Sequence, residues 1–535
     1  MVRTGLVCLL VGGLLGACGD GGQGDGFGRD FLFGVATAGF QVEMGCPGLA
    51  EEVCADRGSD WYAYVTDAAV RERGVTKIYG GDPVRTGPGH WELYAADYDL
   101  AAEELANNAF RMSLEWSRIF PESTVGVSGH EALRAVADEA ALQTYHAMFA
   151  AMRARGLEPL VTLHHYTIPL WLHDAVTCTL DFDACQARGW LDRERMVAEI
   201  AKYAGFAARE FGGQVDLWAT LNEPFAVIIS GFLYPSEERT NPPARMLDAD
   251  GARTALLGMI EAHARMVDAV RDNDVLDASG DGSACRLGVV AALAPVLPAD
   301  GDDPLDRQAA RNTFYLWNLL FLDATAAGRL DDDLDGVAEA RAGLRDRMDY
   351  IGVNYKMSIQ VEGLEGSLLP ELSPLLTVNP LNLDMSLVQP RGLYEMSQLL
   401  AERYGLPLII TENNGRQLWR GALDAEADYL AQNLQWLQHA RAQGLDIRGY
   451  FYWAFMDNYE WNHGMTVDLG LYAVDPEDPD KRRQPRSELV ELYRQVAAER
   501  RVPPALRQAH PIDLDQPPTG GVPDSRIFTQ GWVQD

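Results

Sequence analysis

Two apolar runs in this chain stop on a glutamate. Leu408, Ile409, Ile410 and Thr411 lead into Glu412, Asn413 and Asn414, and far upstream Leu217 to Leu221 leads into Asn222, Glu223 and Pro224. Each run is too short for a helix and reads as a buried strand, and a barrel strand that ends on an acid is a place to look for chemistry. Two carboxyl groups brought together can open an acetal: one protonates the leaving oxygen while the other attacks or shields the developing oxocarbenium ion. Glu223 and Glu412 are the candidate pair for that reaction on a glycosidic bond. Taken singly, either could equally be a solvated loop residue or a neighbour of a helix N-cap, so the case rests on what surrounds them.

The elements that must position the pair alternate along the whole chain. A strand is expected at 31–37, then a long excursion punctuated by glycine and proline from 42 to 90, then a helix at 97–107 and a strand at 110–116. Helix-period residues at 138–155 lead into a strand at 159–165, and a helix at 193–211 leads into the strand ending at Glu223. Helices at 252–270 and 308–327 bracket a strand at 286–293; a strand at 349–355, a helix at 393–404, the run ending at Glu412, a helix at 425–443 and a strand at 448–455 follow. Most of these strands are apolar without period-2 polarity, which describes a parallel sheet buried on both faces. The fold class is α/β, a closed (β/α)8 barrel in one domain spanning 30–501, with long loops at its C-terminal face. A helix at 487–500 closes the ring, and 502–535 is a proline-rich tail.

The C-terminal strand ends carry His165, Asn222 with Glu223, Asn354 with Tyr355, and Glu412, with Trp453 inside the last strand and Trp461 soon after it. His165 could be a core histidine satisfied by backbone, and either tryptophan a packing residue. Together they suit a sugar, whose rings stack on aromatic faces while its hydroxyls want several charged or amide partners.

Composition narrows the class further. The 535 residues are 47% hydrophobic and 23% charged, with a formal net charge of −33. That excess of acid argues against nucleic acid and against docking on anionic lipid, since both need a basic face. Arg3 precedes an uncharged apolar run to Ala17, short of the roughly 20 residues of a membrane span. Leu15, Gly16, Ala17 and Cys18 resemble the lipobox of bacterial lipoproteins. Residues 1–17 are therefore expected to be a signal peptide, and 18–29 a lipidated cysteine and flexible tether that holds the protein in the cell envelope. The alternative is an ordinary secretory signal with an incidental cysteine. Cys46 with Cys54 and Cys178 with Cys185 are spaced to close short loops in an oxidising compartment, leaving Cys285 over. No His or Cys spacing points to a metal, and no cofactor is expected.

Several segments carry a family resemblance: TLNEP at 220–224, ITEN at 410–413, Asn354-Tyr355, RMSLEWSRIF at 111–120 and YWAFMDNYEW at 452–461. In this order, from about residue 31 to 500, they resemble family 1 glycoside hydrolases, the β-glucosidase and β-galactosidase group. TLHHYTIPLWLHD at 162–174 is most similar to the archaeal-type members. The resemblance implies a retaining mechanism through a covalent glycosyl-enzyme, with Glu223 as acid/base, Glu412 as nucleophile and the two carboxyl groups ~5 Å apart. It implies that Asn222 binds the sugar 2-hydroxyl, that Arg111 keeps the nucleophile ionised, that Asn354 and Tyr355 support the site, and that Gln41, His165, Trp453, Glu460 and Trp461 form the glycone pocket.

The phospho-glycosidase branch of that family has a serine where this chain has Glu460, with a lysine and a tyrosine where it has Val467 and Leu469, so an unphosphorylated sugar is expected. Lys356 stands where the family commonly has a second tyrosine that donates to the nucleophile; either the lysine reaches Glu412, or it points away and Tyr355 substitutes. Asn414, Tyr166 and Leu469 are further departures. An exo-acting β-glycosidase acting on β-linked glucose, galactose or fucose is the first reading. A non-catalytic sugar-binding lipoprotein on the same barrel and a transglycosylase are the alternatives. The retained acid and nucleophile favour the enzyme, because a binding protein needs no matched pair.

Overall fold

The apolar runs close into a barrel. In the computed structural model, which describes residues 26–72, 78–415 and 423–524, eight parallel strands pair in one ring: β1 (Leu32–Ala36), β2 (Ala109–Ser113), β3 (Glu158–His164), β4 (Leu217–Asn222), β5 (Arg286–Leu293), β6 (Tyr350–Tyr355), β7 (Leu408–Asn413) and β8 (Ile447–Trp453). Every residue of β2, β4, β6 and β7 is buried, as expected of strands covered on both faces. The ring shuts where β1 pairs with β8, Gly34 lying opposite Phe451. A Cβ on Gly34 would meet the Phe451 ring at 2.5 Å, so only glycine admits this closure.

The outer helices begin on sequence signals that are plain to read. Asp138 caps α2 (Glu139–Ala154) by accepting from the Ala141 amide, after α1 (His90–Asp99). The ring continues with α3 (Arg193–Phe211) and α4 (Ala249–Asn273), the latter capped by Asp248. It goes on to α5 (Pro304–Phe314), which starts on Asp303 and Pro304 and is extended by Tyr315–Leu319 and Leu320–Ala327, then α6 (Pro390–Tyr404), α7 (Leu423–Ala442) and α8 (Ser487–Glu499). Gly405, at φ 65°, ends α6 in the left-handed conformation.

Two expectations need correcting. The first helix starts at His90 rather than near 97, launched by Gly89 at φ 77°. Its buried side carries His90 and Asp97, joined at 2.7 Å and clamped by Arg483 at 2.8 Å, so polar residues hide the apolar period. A three-stranded sheet of Val296–Pro298, Ser358–Val361 and Asp384–Leu387, formed from loops after β5 and β6, was not anticipated at all.

The excursion between β1 and α1 is tied to the barrel by a buried polar cluster. Arg118 pairs with Glu43 at 2.6 Å, and the Tyr145 hydroxyl donates to the same carboxylate. Glu115 accepts from the Phe40 amide and the Thr167 hydroxyl. Burial, with Glu43 and Asp56 adding to it, pushes the Glu115 carboxyl up to about 8. These bonds fix the short helix Gly39–Val42 that carries Gln41. Disulfides join Cys46 to Cys54 and Cys178 to Cys185, while Cys285 is free and partly buried. The segment after Val502 lies against the outer helices: Gln435 of α7 donates to the His510 carbonyl, Thr519 donates to Glu395 of α6, and the Val296 amide donates to Gly521.

Candidate active site

At the C-terminal ends of the strands a cavity of about 620 Å³ opens, and its walls include Gln41, His165, Asn222, Glu223, Asn354, Glu412, Trp453, Glu460 and Trp461. Arg111 lies wholly buried in β2 beside this cavity and organises it. Its Nη1 donates to Glu412 Oε1 at 2.6 Å, its Nη2 to Asn222 Oδ1 at 2.7 Å, and its Nε to Thr162 Oγ1 at 3.3 Å. A guanidinium can only donate, so the Asn222 oxygen must face Arg111 and its amide nitrogen must face away. That nitrogen donates to His165 Nε2 at 3.2 Å, which places the imidazole proton on Nδ1. Burial and the charge of Arg111 hold His165 well below the usual histidine range, in keeping with a neutral ring. Its Nδ1 has no partner among the described residues.

The two glutamates sit in unlike surroundings. Glu412, 2% exposed, is bracketed by cations: Arg111 on Oε1 and the Lys356 ammonium on Oε2 at 3.0 Å. Burial alone would favour its neutral form, but Lys356 and Arg111 outweigh burial and hold its carboxyl below the ordinary range. Burial likewise works against the charge on Lys356, and Glu412, Glu223 and Glu460 overcome it and raise its pKa. Among the described residues, Glu223 takes no hydrogen bond from a cation. The Tyr166 hydroxyl donates to its Oε2 at 2.5 Å and the Asn354 amide to its Oε1 at 2.7 Å. Asn354 also donates to Asn222 Oδ1 at 3.3 Å, so a continuous path runs from Glu412 through Arg111, Asn222 and Asn354 to Glu223.

The far wall is built on Glu460. Gln41 Nε2 donates to its Oε2 at 2.8 Å and Arg239 to its Oε1 at 3.1 Å, which leaves Gln41 Oε1 a buried acceptor with no partner among the described residues. Arg239 lies 5.3 Å from both the Tyr166 and the Trp461 ring centroids. The His165 ring stands nearly parallel to Trp453 and Trp461, at 13° and 14°. Glu223, Tyr166 and Trp461 all hold left-handed backbone, at φ 44°, 73° and 50°. Such strain costs roughly 1–3 kcal/mol per residue and gathers at functional sites, where it aims side chains.

Tyr355 is the one expected site residue in this region that the structure turns away. Side chains alternate along a strand, so Asn354 and Lys356 enter the cavity and Tyr355 points outward, its hydroxyl donating to the Gln389 carbonyl at 2.6 Å. Lys356, not Tyr355, therefore serves Glu412. Tyr166, noted in the sequence only as a departure, contacts Glu223 directly; Arg239, in an irregular loop, had no periodic or motif signal at all. Cys18 lies outside the described residues. Among the described residues, Asp331, Asp333 and Asp335 bring carboxylate oxygens within 4.8 Å of one another, outside the cavity. Asp331 there already accepts from the Tyr315 hydroxyl and the Asp335 and Gly336 amides.

Residues 23–502 match the family model described as Glycosyl hydrolase family 1. A beta-galactosidase of Pyrococcus woesei is 31% identical over 517 residues, covering 88% of this chain and 97% of that protein. A beta-galactosidase of Sulfolobus acidocaldarius is 31% identical over 483 residues, covering 84% and 91%. The crystal structure of the beta-glycosidase from the hyperthermophile Thermosphaera aggregans superposes with a TM-score of 0.75 at 28% identity, covering 91% of this chain and 100% of that one.

Proposed function

The chain belongs to glycosyl hydrolase family 1, and from that premise we propose that it is a retaining, exo-acting β-glycosidase in which Glu412 is the nucleophile and Glu223 the acid/base. The observation that carries these roles is the unequal setting of the two carboxyl groups. One is held ionised by two cations, and the other is held by neutral donors on the same wall. A Glu412 oxygen attacks the anomeric carbon while Glu223 gives its proton to the leaving oxygen and the C–O bond breaks. Glu223 then takes a proton from water, the water oxygen attacks the anomeric carbon, and Glu412 is released as a carboxylate. The Tyr166 hydroxyl suits this cycle, since it can donate to Glu223 as a carboxylate and accept from it as an acid. Lys356 lowers the basicity of Glu412, which weakens attack and favours its departure in the second step.

The glycone we propose is an unphosphorylated β-linked glucose, galactose or fucose. Gln41 Oε1 and the His165 Nδ1 proton supply an acceptor and a donor that the protein leaves unused, and burying such groups unmet costs roughly 1–3 kcal/mol each. Hydroxyls of a sugar ring in the pocket meet that need. Glu460 would repel a 6-phosphate. The test is hydrolysis of p-nitrophenyl β-glucoside, galactoside, fucoside, mannoside and 6-phospho-glucoside, with NMR on the first-formed anomer. Turnover of unphosphorylated sugars to the β-anomer is expected. Folded protein that binds sugar without turnover would support the sugar-binding alternative instead.

We also propose, from the sequence of residues 1–28, that the protein is a lipoprotein of the bacterial envelope, tethered through Cys18. Cys18→Ala should move it from the membrane fraction to the soluble fraction; unchanged fractionation would contradict the tether.

A further inference from the structure

The cavity has two unlike halves, and the outer one restricts what can leave. Beyond Glu223 the walls come from the helix after β4, the end of β5, the turn that extends α5, and the strand at Asp384–Leu387. They present Ile229, Leu293, Trp317, Met357, Leu381 and Met385. Leu381 is 83% exposed at the rim, an apolar side chain that the described residues leave uncovered. The polar groups on this side are turned on one another. Asp384 accepts from both the amide and the hydroxyl of Ser386, the Ser230 hydroxyl donates to the Ala226 carbonyl, and Ser236 exchanges hydrogen bonds with the Arg239 backbone. The exceptions are the exposed Glu238, the exposed Tyr234 hydroxyl, the second Asp384 oxygen, and the indole N–H of Trp317, which has no partner among the described residues.

A second sugar ring in this space would lay its hydroxyls against a wall made mostly of aliphatic and aromatic side chains with polar groups only at its edges, whereas an alkyl or aryl group loses nothing by leaving water there. Resting on the glycosidase reading of the same site, we infer that the natural leaving group is an apolar alcohol or phenol rather than another saccharide. The glycone end recognises a sugar by polar contacts, and the mouth recognises its partner by apolar area.

Octyl and methyl β-glucosides tested against cellobiose, with octyl and methyl β-galactosides against lactose, decide this. All release aliphatic alcohols, so leaving-group chemistry is nearly matched and the comparison reads binding. Each buried methylene is worth about fourfold, so kcat/KM for the octyl glycoside should exceed that for the disaccharide by about tenfold or more. In Leu381→Asp and Met385→Asp the octyl-to-methyl ratio of kcat/KM should fall, through a rise in KM. Disaccharides cleaved as well as or better than the octyl glycosides would overturn the inference while leaving the glycosidase intact. Hydrolysis of none of these compounds, nor of octyl and p-nitrophenyl β-fucosides, would overturn the glycosidase reading, and the inference with it.

Discussion

Glu412 and Glu223 stand at the C-terminal ends of two strands of one barrel, with two strands between them, yet the chain treats them differently. Around Glu412 two cations converge, Arg111 at 2.6 Å and Lys356 at 3.0 Å. Around Glu223 the donors are a phenol and an amide, Tyr166 at 2.5 Å and Asn354 at 2.7 Å. A carboxylate held by charge is kept ready to attack, and one held by neutral groups is free to exchange a proton at each step. The difference teaches that two chemically identical residues are set apart by the side chains that touch them, and the proposed roles rest on that difference.

Removing each carboxyl should break the comparison in opposite ways. Glu412→Gly should lower kcat by roughly 10⁴-fold or more, and azide should restore turnover with the α-glycosyl azide as product. Loss without rescue, or a β-azide, would contradict its place as nucleophile. Glu223→Gln should cost roughly 10²–10⁴-fold in kcat/KM on alkyl glycosides, the usual range for a general acid, and much less in kcat/KM on nitrophenyl glycosides, whose departure needs little protonation. An equal loss on both classes would remove Glu223 from that role.

Changing the partners sharpens the comparison with smaller effects. Lys356→Met removes one of the two cations that hold the Glu412 carboxyl down. Glu412 must be ionised to attack, so the acidic limb of kcat/KM should move to higher pH, with a change of about tenfold in rate at the optimum. A limb that stays in place would show that Arg111 alone sets the charge. Tyr166→Phe deletes one hydrogen bond to Glu223 and should cost about two- to tenfold in kcat, and an unchanged kcat would show that the phenol does not serve the acid/base.

Much of this arrangement was legible in the residues. Strands β4 and β7 are apolar runs stopped by Glu223 and Glu412, and their burial on both faces follows from composition alone. Helix α3 and strand β5 fall at the residues expected of them because amphipathic period and β-branched content agree there. The small outer sheet escaped because its strands are three or four residues long and carry Ser358, Gln360, Asp384 and Ser386, too short and polar for any period to register. Tyr355 was misplaced by reading adjacency as co-location, when the two-residue repeat of a strand sends neighbours to opposite faces. Arg239 reaches Glu460 from a loop whose path is set by tertiary contacts, which no local pattern records.

The account stands most directly on the identity of the nucleophile. Incubation with a 2-deoxy-2-fluoro β-glycosyl fluoride slows release of the glycosyl-enzyme, and peptide mass spectrometry then locates the attached sugar. The label is predicted on the peptide carrying residues 408–413, at Glu412. A label on Glu223, or slow turnover with no covalent adduct, would contradict the roles drawn from the two settings.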